Sequence, residues 1–256
     1  MVFSVIRTSH SPSIKPSTAL GEFLGTAVLI LLGNGVVAGV LLEESKSKAA
    51  GWIAITAGWA VAVLCGVLVA TSLGAPGELN PAGTIANVFL GARTAGDAVW
   101  HIGAQLLGAI VGATLVWIHY FNHWRVTKDA AAIRACFCTG PAIRSTVPNL
   151  LSEAIGTGVL IVVANAIGSK LVAGASPATN VGPALVGALV WGIGLSLGGP
   201  TGYAINPARD LGPRIAHAIL PIANKSHNDW GYSWIPVVGP VTGALAAAAL
   251  WKAVSG

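Results

Sequence analysis

The apolar positions of this chain fall into long runs separated by short polar or Gly/Pro-rich breaks. Six runs, at about 18–42, 50–71, 97–120, 149–168, 181–199 and 233–253, are long enough to cross roughly 30 Å of hydrocarbon at about 1.5 Å per helical residue. Gly and Ala are mixed with Leu and Val throughout, including the pairs Gly21/Gly25 and Gly108/Gly112. Small residues at that spacing let helices approach closely in lipid, so they report packing rather than function. Two further apolar pieces are too short to span: NPAGTIANVFLG from Asn80 and NPARDLGPRIAHAIL from Asn206. Each is half a bilayer long if helical. Both follow segments, SLGAPGEL and GGPTGYAI, that no continuous helix tolerates.

Composition narrows the class. Hydrophobic residues make up 54% of the 256, and charged residues only 9%, against about 25% charged in a soluble domain. A soluble globular protein and a disordered chain are both excluded, which leaves a polytopic membrane protein; runs of helix-spanning length make it read as all-α. The net charge of +5 is spread along the chain with no basic patch, so nucleic acid is excluded as a partner. Cys65, Cys136 and Cys138 make no disulfide framework, and the CxC pair lacks further ligands for zinc; both read as loop thiols. His119 and His123, four apart, lack a third metal ligand and read as the watery end of the third run.

An internal repeat sets the topology. Glu22–Asn34 (EFLGTAVLILLGN) and Glu153–Asn165 (EAIGTGVLIVVAN) share seven of thirteen residues at an offset of 131, and the two Asn-Pro-Ala copies lie 126 apart. The chain therefore reads as a polar N-terminal tail (1–17), a first repeat (18–120), a connecting loop (121–148) and a second repeat (149–253). Three spans per half is an odd number, so the second half enters from the opposite face. The two short helices then meet near the midplane by their N-termini. Asn suits the N-cap and Pro the first helical position. Asn80 and Asn206 would cap through their side-chain oxygens and leave their amide NH2 groups free at the meeting point. The two positive helix ends behind them favour an oxygen and oppose cations and protons.

With two Asn-Pro-Ala motifs, each opening a half-length helix, and paired Glu-bearing helices, the chain resembles the major intrinsic protein family over about residues 18–253. The Arg209-Asp210 pair after the second motif resembles its aquaglyceroporin branch. The resemblance implies six tilted helices plus two re-entrant half-helices, in a tetramer with one pore per subunit. It places the pore centre at Asn80, Pro81, Ala82, Asn206, Pro207 and Ala208. It places a selectivity ring at Trp59, Gly194, Tyr203 and Arg209, given a one-residue insertion before Asn80. A Trp in a membrane helix is often an interface anchor, but Trp59 sits mid-segment. Arg at membrane depth costs about 2.5–3.5 kcal/mol or more, so a function is the default reading. Tyr203 replaces the more usual Phe and adds a polar tip. Glu22 and Glu153 are expected to hold the loops before each half-helix, with Asp210 as a further support. That would aim the carbonyls of Pro76, Gly77, Glu78, Thr201, Gly202 and Tyr203 into the pore. Glu78 stands where most relatives carry His and places a titratable group at one pore mouth, or is a solvated loop carboxylate.

The implied function is a passive channel for glycerol and similar small uncharged solutes. It would also pass water and exclude ions and protons, without cofactor or enzymatic chemistry. The alternatives are a channel mainly for water, urea or undissociated lactic acid, and a coupled secondary transporter, which shares inverted repeats and broken helices. The setting is the plasma or inner membrane. The family orientation puts both termini in the cytoplasm. The Lys and Arg count opposes it, with five on the implied inner side (Arg7, Lys15, Arg93, Lys170, Lys252). The implied outer side has eight (Lys46, Lys48, Arg125, Lys128, Arg134, Arg144, Arg214, Lys225).

Overall fold

A computed structural model describes residues 18–169 and 181–255. The polar tail of residues 1–17, with Arg7 and Lys15, and Lys170 lie outside them. The described residues form helices and connecting segments, with no strand among them. In chain order the helices are α1 (Thr18–Leu41), α2 (Trp52–Ser72), α3 (Pro81–Phe89), α4 (Ala95–His119), α5 (His123–Val126), α6 (Ala130–Ala135), α7 (Thr146–Gly168), α8 (Gly182–Leu197), α9 (Pro207–Ile219) and α10 (Ile235–Ser255). Among the described residues α1, α2, α4, α7 and α10 are long and apolar enough to cross a membrane. The fifth expected span is α8, whose 16 described residues give only about 24 Å of rise.

Packing between the halves is reciprocal. Helix α1 packs on α2 and α4, and α7 packs on α8 and α10. The short α3 lies against α10 of the other half, and the short α9 lies against α4; α2 and α8 pack on each other. Small residues make these approaches possible. A Cβ at Gly25 would sit 2.7 Å from the Gly66 carbonyl, and one at Gly112 would sit 2.5 Å from the Ala27 carbonyl. Both are too close for any other residue.

The connecting segment differs from the single loop expected. It carries the short helices α5 and α6. The Asp129 carboxylate caps α6 by accepting from Ala131 N and Ala132 N, and the Ala-rich run that follows favours helix. After α6 the chain turns inward. Ile133, Cys136, Phe137 and Cys138 are buried, and Asn34 donates from α1 to the Phe137 carbonyl. His119 and His123 flank the Tyr120 ring rather than sharing one helix face.

Candidate functional site

Two buried carboxylates shape the segments before α3 and α9. Glu22 accepts from the backbone N–H of Gly77 (2.8 Å), Glu78 (2.9 Å) and Leu79 (2.8 Å). Glu153 accepts from Ala204 (3.0 Å) and Ile205 (2.8 Å). In a trans peptide the C=O points opposite to the N–H of the next residue. Each N–H held by a carboxylate therefore turns the preceding carbonyl away from it. Gly77, Leu79, Tyr203 and Ile205 take left-handed backbone conformations, with φ of 72°, 50°, 39° and 43°. Three of the four are not glycine, so the charge-assisted bonds must hold a strained backbone. Gln105 donates to the second Glu22 oxygen and to Thr84 of α3, tying the half-helix into the same cluster.

A narrow cavity runs between these segments, with about 90 Å³ open to the centre of a water-sized sphere. Gly77, Glu78, Leu79, Asn80, Tyr203, Ala204, Ile205 and Asn206 border it on the polar side. Leu29, Val63, Val67, Leu160, Val186 and Val190 form the apolar side. Pro76 and Thr201 do not border it, and Gly202 borders a wider adjoining vestibule instead. Ala204, absent from the carbonyls expected from sequence, does border it. The segment before α9 is held at 204 and 205, so the carbonyls turned away from Glu153 are those of Tyr203 and Ala204.

The two Asn side chains meet at the cavity. Asn80 caps α3 by accepting from Ala82 N, and Asn206 caps α9 by accepting from Ala208 N and Arg209 N. Their amide groups are not both free as expected. Asn80 Nδ2 donates to the Ile205 carbonyl (2.8 Å), and Asn206 Nδ2 donates to the Leu79 carbonyl (2.7 Å). The left-handed turn at Leu79 and Ile205 presents those carbonyls to the opposite loop. Each NH2 keeps one further hydrogen. Pro81, Ala82, Pro207 and Ala208 are buried behind the two Asn.

Trp59, Tyr203 and Arg209 border both this cavity and the vestibule, and so form the constriction between the two. The Arg209 guanidinium lies 4.0 Å above the Trp59 ring, a close cation–π stack. Among the described residues, buried Trp59 Nε1 and the Tyr203 hydroxyl have no hydrogen-bond partner. Gly194 does not border the cavity. It makes room: a Cβ there would lie 2.9 Å from Tyr203 Cζ and from Thr56 Cγ2. Sequence reasoning missed Trp52, which donates from Nε1 to the Gly194 carbonyl (3.0 Å) and meets the Tyr203 ring edge-on at 5.8 Å. Its place at the start of a span reads as an interface anchor, and no local pattern links it to residue 194.

Around the site, Asp210 is fully buried and accepts from Thr139 N and Thr139 Oγ1, both at 2.7 Å. It also pairs with Arg214, 2.8 Å away and equally buried. Arg214 in turn donates to the carbonyls of Thr139, Asn228 and Asp229. The connecting segment and the segment after α9 are thereby stapled to one helix. Lys225 caps the end of α9 through the carbonyls of His217, Ala218 and Leu220. Burial pushes the Asp229 carboxyl up, but the hydrogen bond and charge of Arg144 outweigh it and hold its pKa below the ordinary value. Burial pushes the Cys138 thiol up to about 12 and raises Cys136 further.

Glu78 is neither a solvated carboxylate nor a free group at a pore mouth. Its side chain is 6% exposed and accepts from Thr84 Oγ1 (2.7 Å), Asn87 Nδ2 (2.7 Å) and Arg93 Nε (2.9 Å). His101 Nδ1 lies 3.6 Å away. The polar face of α3 and the arginine just beyond it supply donors that draw the carboxylate inward and brace both ends of the half-helix. Among the described residues no cluster of His, Cys, Asp and Glu could hold a metal ion.

Residues 9–251 match the family described as "Major intrinsic protein". The chain is 52% identical over 238 residues to "Glycerol uptake facilitator protein 3" of Lactiplantibacillus plantarum, covering 91% of this chain and 95% of that one. It is 52% identical over 227 residues to "Glycerol uptake facilitator protein" of Streptococcus pneumoniae R6, covering 89% and 94%. Its fold matches the X-ray structure of the aquaglyceroporin from Plasmodium falciparum with a TM-score of 0.83 at 29% identity, covering 93% and 96%. The chain belongs to the major intrinsic protein family, and it is a multi-pass membrane protein with that family's channel fold rather than an enzyme.

Proposed function

We propose that the protein is a passive channel for glycerol and similar small uncharged polyols, that it also passes water, and that it excludes ions and protons. The observation that carries this is the constriction. Trp59 Nε1–H and the Tyr203 hydroxyl are donors without protein acceptors, beside the Arg209 guanidinium and the carbonyls turned away from Glu22 and Glu153. A solute with hydroxyls can satisfy both sets, while its carbon edge lies against Val63, Val186 and Val190. Buried donors left unpaired are costly, so a solute that pairs them is favoured over one that cannot. The Arg209 charge and the two helix N-termini behind Asn80 and Asn206 oppose cations and protons. The relatives named for glycerol uptake support the same solute.

In this reading the two repeats, 18–120 and 149–253, do matched work. Glu22 and Glu153 hold equivalent loops, and Leu79 and Ile205 accept from the opposite Asn. The protein is read as a homotetramer in the plasma membrane with cytoplasmic termini. The contrary charge count loses weight, because Arg214 and Lys225 are engaged inside the fold rather than free in an outer loop. Purified protein in liposomes tests the function. Light scattering after a glycerol gradient should show entry well above empty vesicles, linear in concentration and indifferent to ion gradients. Flux that saturates and follows a proton or sodium gradient would establish the transporter alternative instead.

A further inference from the structure

We propose that Trp52 is a positioning residue for selectivity: it fixes the Tyr203 ring and thereby sets the largest solute the constriction admits. The inference rests on reading the constriction as the selective step and adds a residue outside the expected ring.

The argument starts at the end of α8. Gly194 is in the last helical turn, where carbonyls lack an intrahelical partner, and the Trp52 indole N–H from α2 satisfies it at 3.0 Å. That bond ties the indole to the end of α8. Gly194 and Gly198, one turn apart, leave a bare strip of helix. A Cβ at Gly198 would sit 2.6 Å from Tyr203 Cδ1 and 2.8 Å from Trp52 Cζ2. The Tyr203 ring lies on this strip, and the Trp52 ring closes it edge-on at 81°. Tyr203 has no hydrogen bond of its own to hold it, since its hydroxyl is unpartnered, and its backbone is left-handed. Packing against the glycine strip and Trp52 therefore decides where the ring stands relative to Arg209. Trp52 borders the adjoining vestibule together with Trp59, Tyr203 and Arg209. Removing its indole opens space on the side of Tyr203 away from the cavity.

The test is a permeability series in liposomes for wild type, Trp52→Ala and Trp52→Phe, with water, urea, glycerol, erythritol and xylitol. Ratios between solutes cancel differences in the amount of folded protein, so a merely structural loss does not move them. Trp52→Ala is expected to raise the ratio of erythritol or xylitol to glycerol by roughly three- to tenfold, from the lost hydrogen bond and aromatic edge contact together. Trp52→Phe, which loses only the hydrogen bond, should give a smaller rise. If Trp52→Ala conducts glycerol with wild-type ratios, the inference is overturned. If that variant yields no folded protein, Trp52→Phe decides: a raised ratio supports the role and an unchanged one refutes it. Failure of the glycerol reading is separate and shows in the wild type as no glycerol entry. The same comparison then runs on the two largest solutes the wild type does separate.

Discussion

Gly194→Ala is the smallest change that should narrow the pathway. The added Cβ would stand 2.9 Å from both Tyr203 Cζ and Thr56 Cγ2, where ordinary contact begins at 3.4 Å. About 0.5 Å must therefore be relieved. The helix backbone and Thr56 lie on one side of the contact, and the Tyr203 ring, which borders the cavity, lies on the other. The ring is the part that can move, and it moves toward Arg209. A hydrophobic pocket discriminates one methylene by about 1–3 kcal/mol, or 10–200-fold. Half an ångström taken from one wall is near the low end of that scale, so glycerol permeability should fall roughly tenfold. Water, needing less width, should fall less, and the glycerol-to-water ratio should drop. The assay is stopped-flow light scattering on liposomes matched for protein content. A conducting Gly194→Ala variant with an unchanged or raised ratio would refute the claim that Gly194 acts by seating Tyr203.

Other perturbations separate the remaining contributions. Glu22→Gln keeps the size of the side chain but puts an NH2 against N–H donors that Glu22 now accepts. Each stranded buried group costs about 1–3 kcal/mol, so a lower thermal midpoint and at least a tenfold loss of glycerol flux are expected; wild-type flux would show that the loop holds itself. Arg209→Leu should admit protons or small cations, read with a pH-sensitive dye in vesicles under an imposed gradient, and an undiminished barrier would assign exclusion to the helix ends alone. Cys138, at about 12 against an ordinary 9.0, has about a thousandfold less thiolate near neutral pH, so maleimide at pH 7.5 should leave it unlabelled in intact vesicles and label it after denaturation. The Arg144–Asp229 staple has a depressed carboxylate pKa. Its contribution is therefore full above the ordinary Asp range and lost as pH falls through the lower folded value. Arg144→Gln should remove that acid-dependent part of the protection around residues 144 and 229 in hydrogen exchange and leave the neutral-pH flux intact.

What the sequence revealed, and what it hid, divides along a physical line. Features fixed by solvent and by local backbone chemistry were legible. A run such as Thr18–Leu41 must be helical in lipid because its backbone groups have no other partner. An Asn-Pro pair after a Gly/Pro segment announces a helix start whatever surrounds it. The repeat brought Glu22 and Glu153 to attention, and of the carbonyls expected from them Gly77, Glu78 and Tyr203 belong to residues that border the cavity. The shift in the second loop, from Thr201 toward Ala204, depends on which N–H groups Glu153 reaches, and that is a matter of helix rotation. Glu78 misled for a related reason. Its local context is a loop, and the donors that bury it, Thr84, Asn87 and Arg93, become neighbours only once α3 folds back as a short helix. Trp52 and Gly194, 142 residues apart, carry no mark of one another at all. Their contact exists because α2 and α8 pack across the boundary between the two halves. That boundary also holds the cavity, so the features that tune which solute passes are set by pairings the chain does not display in order.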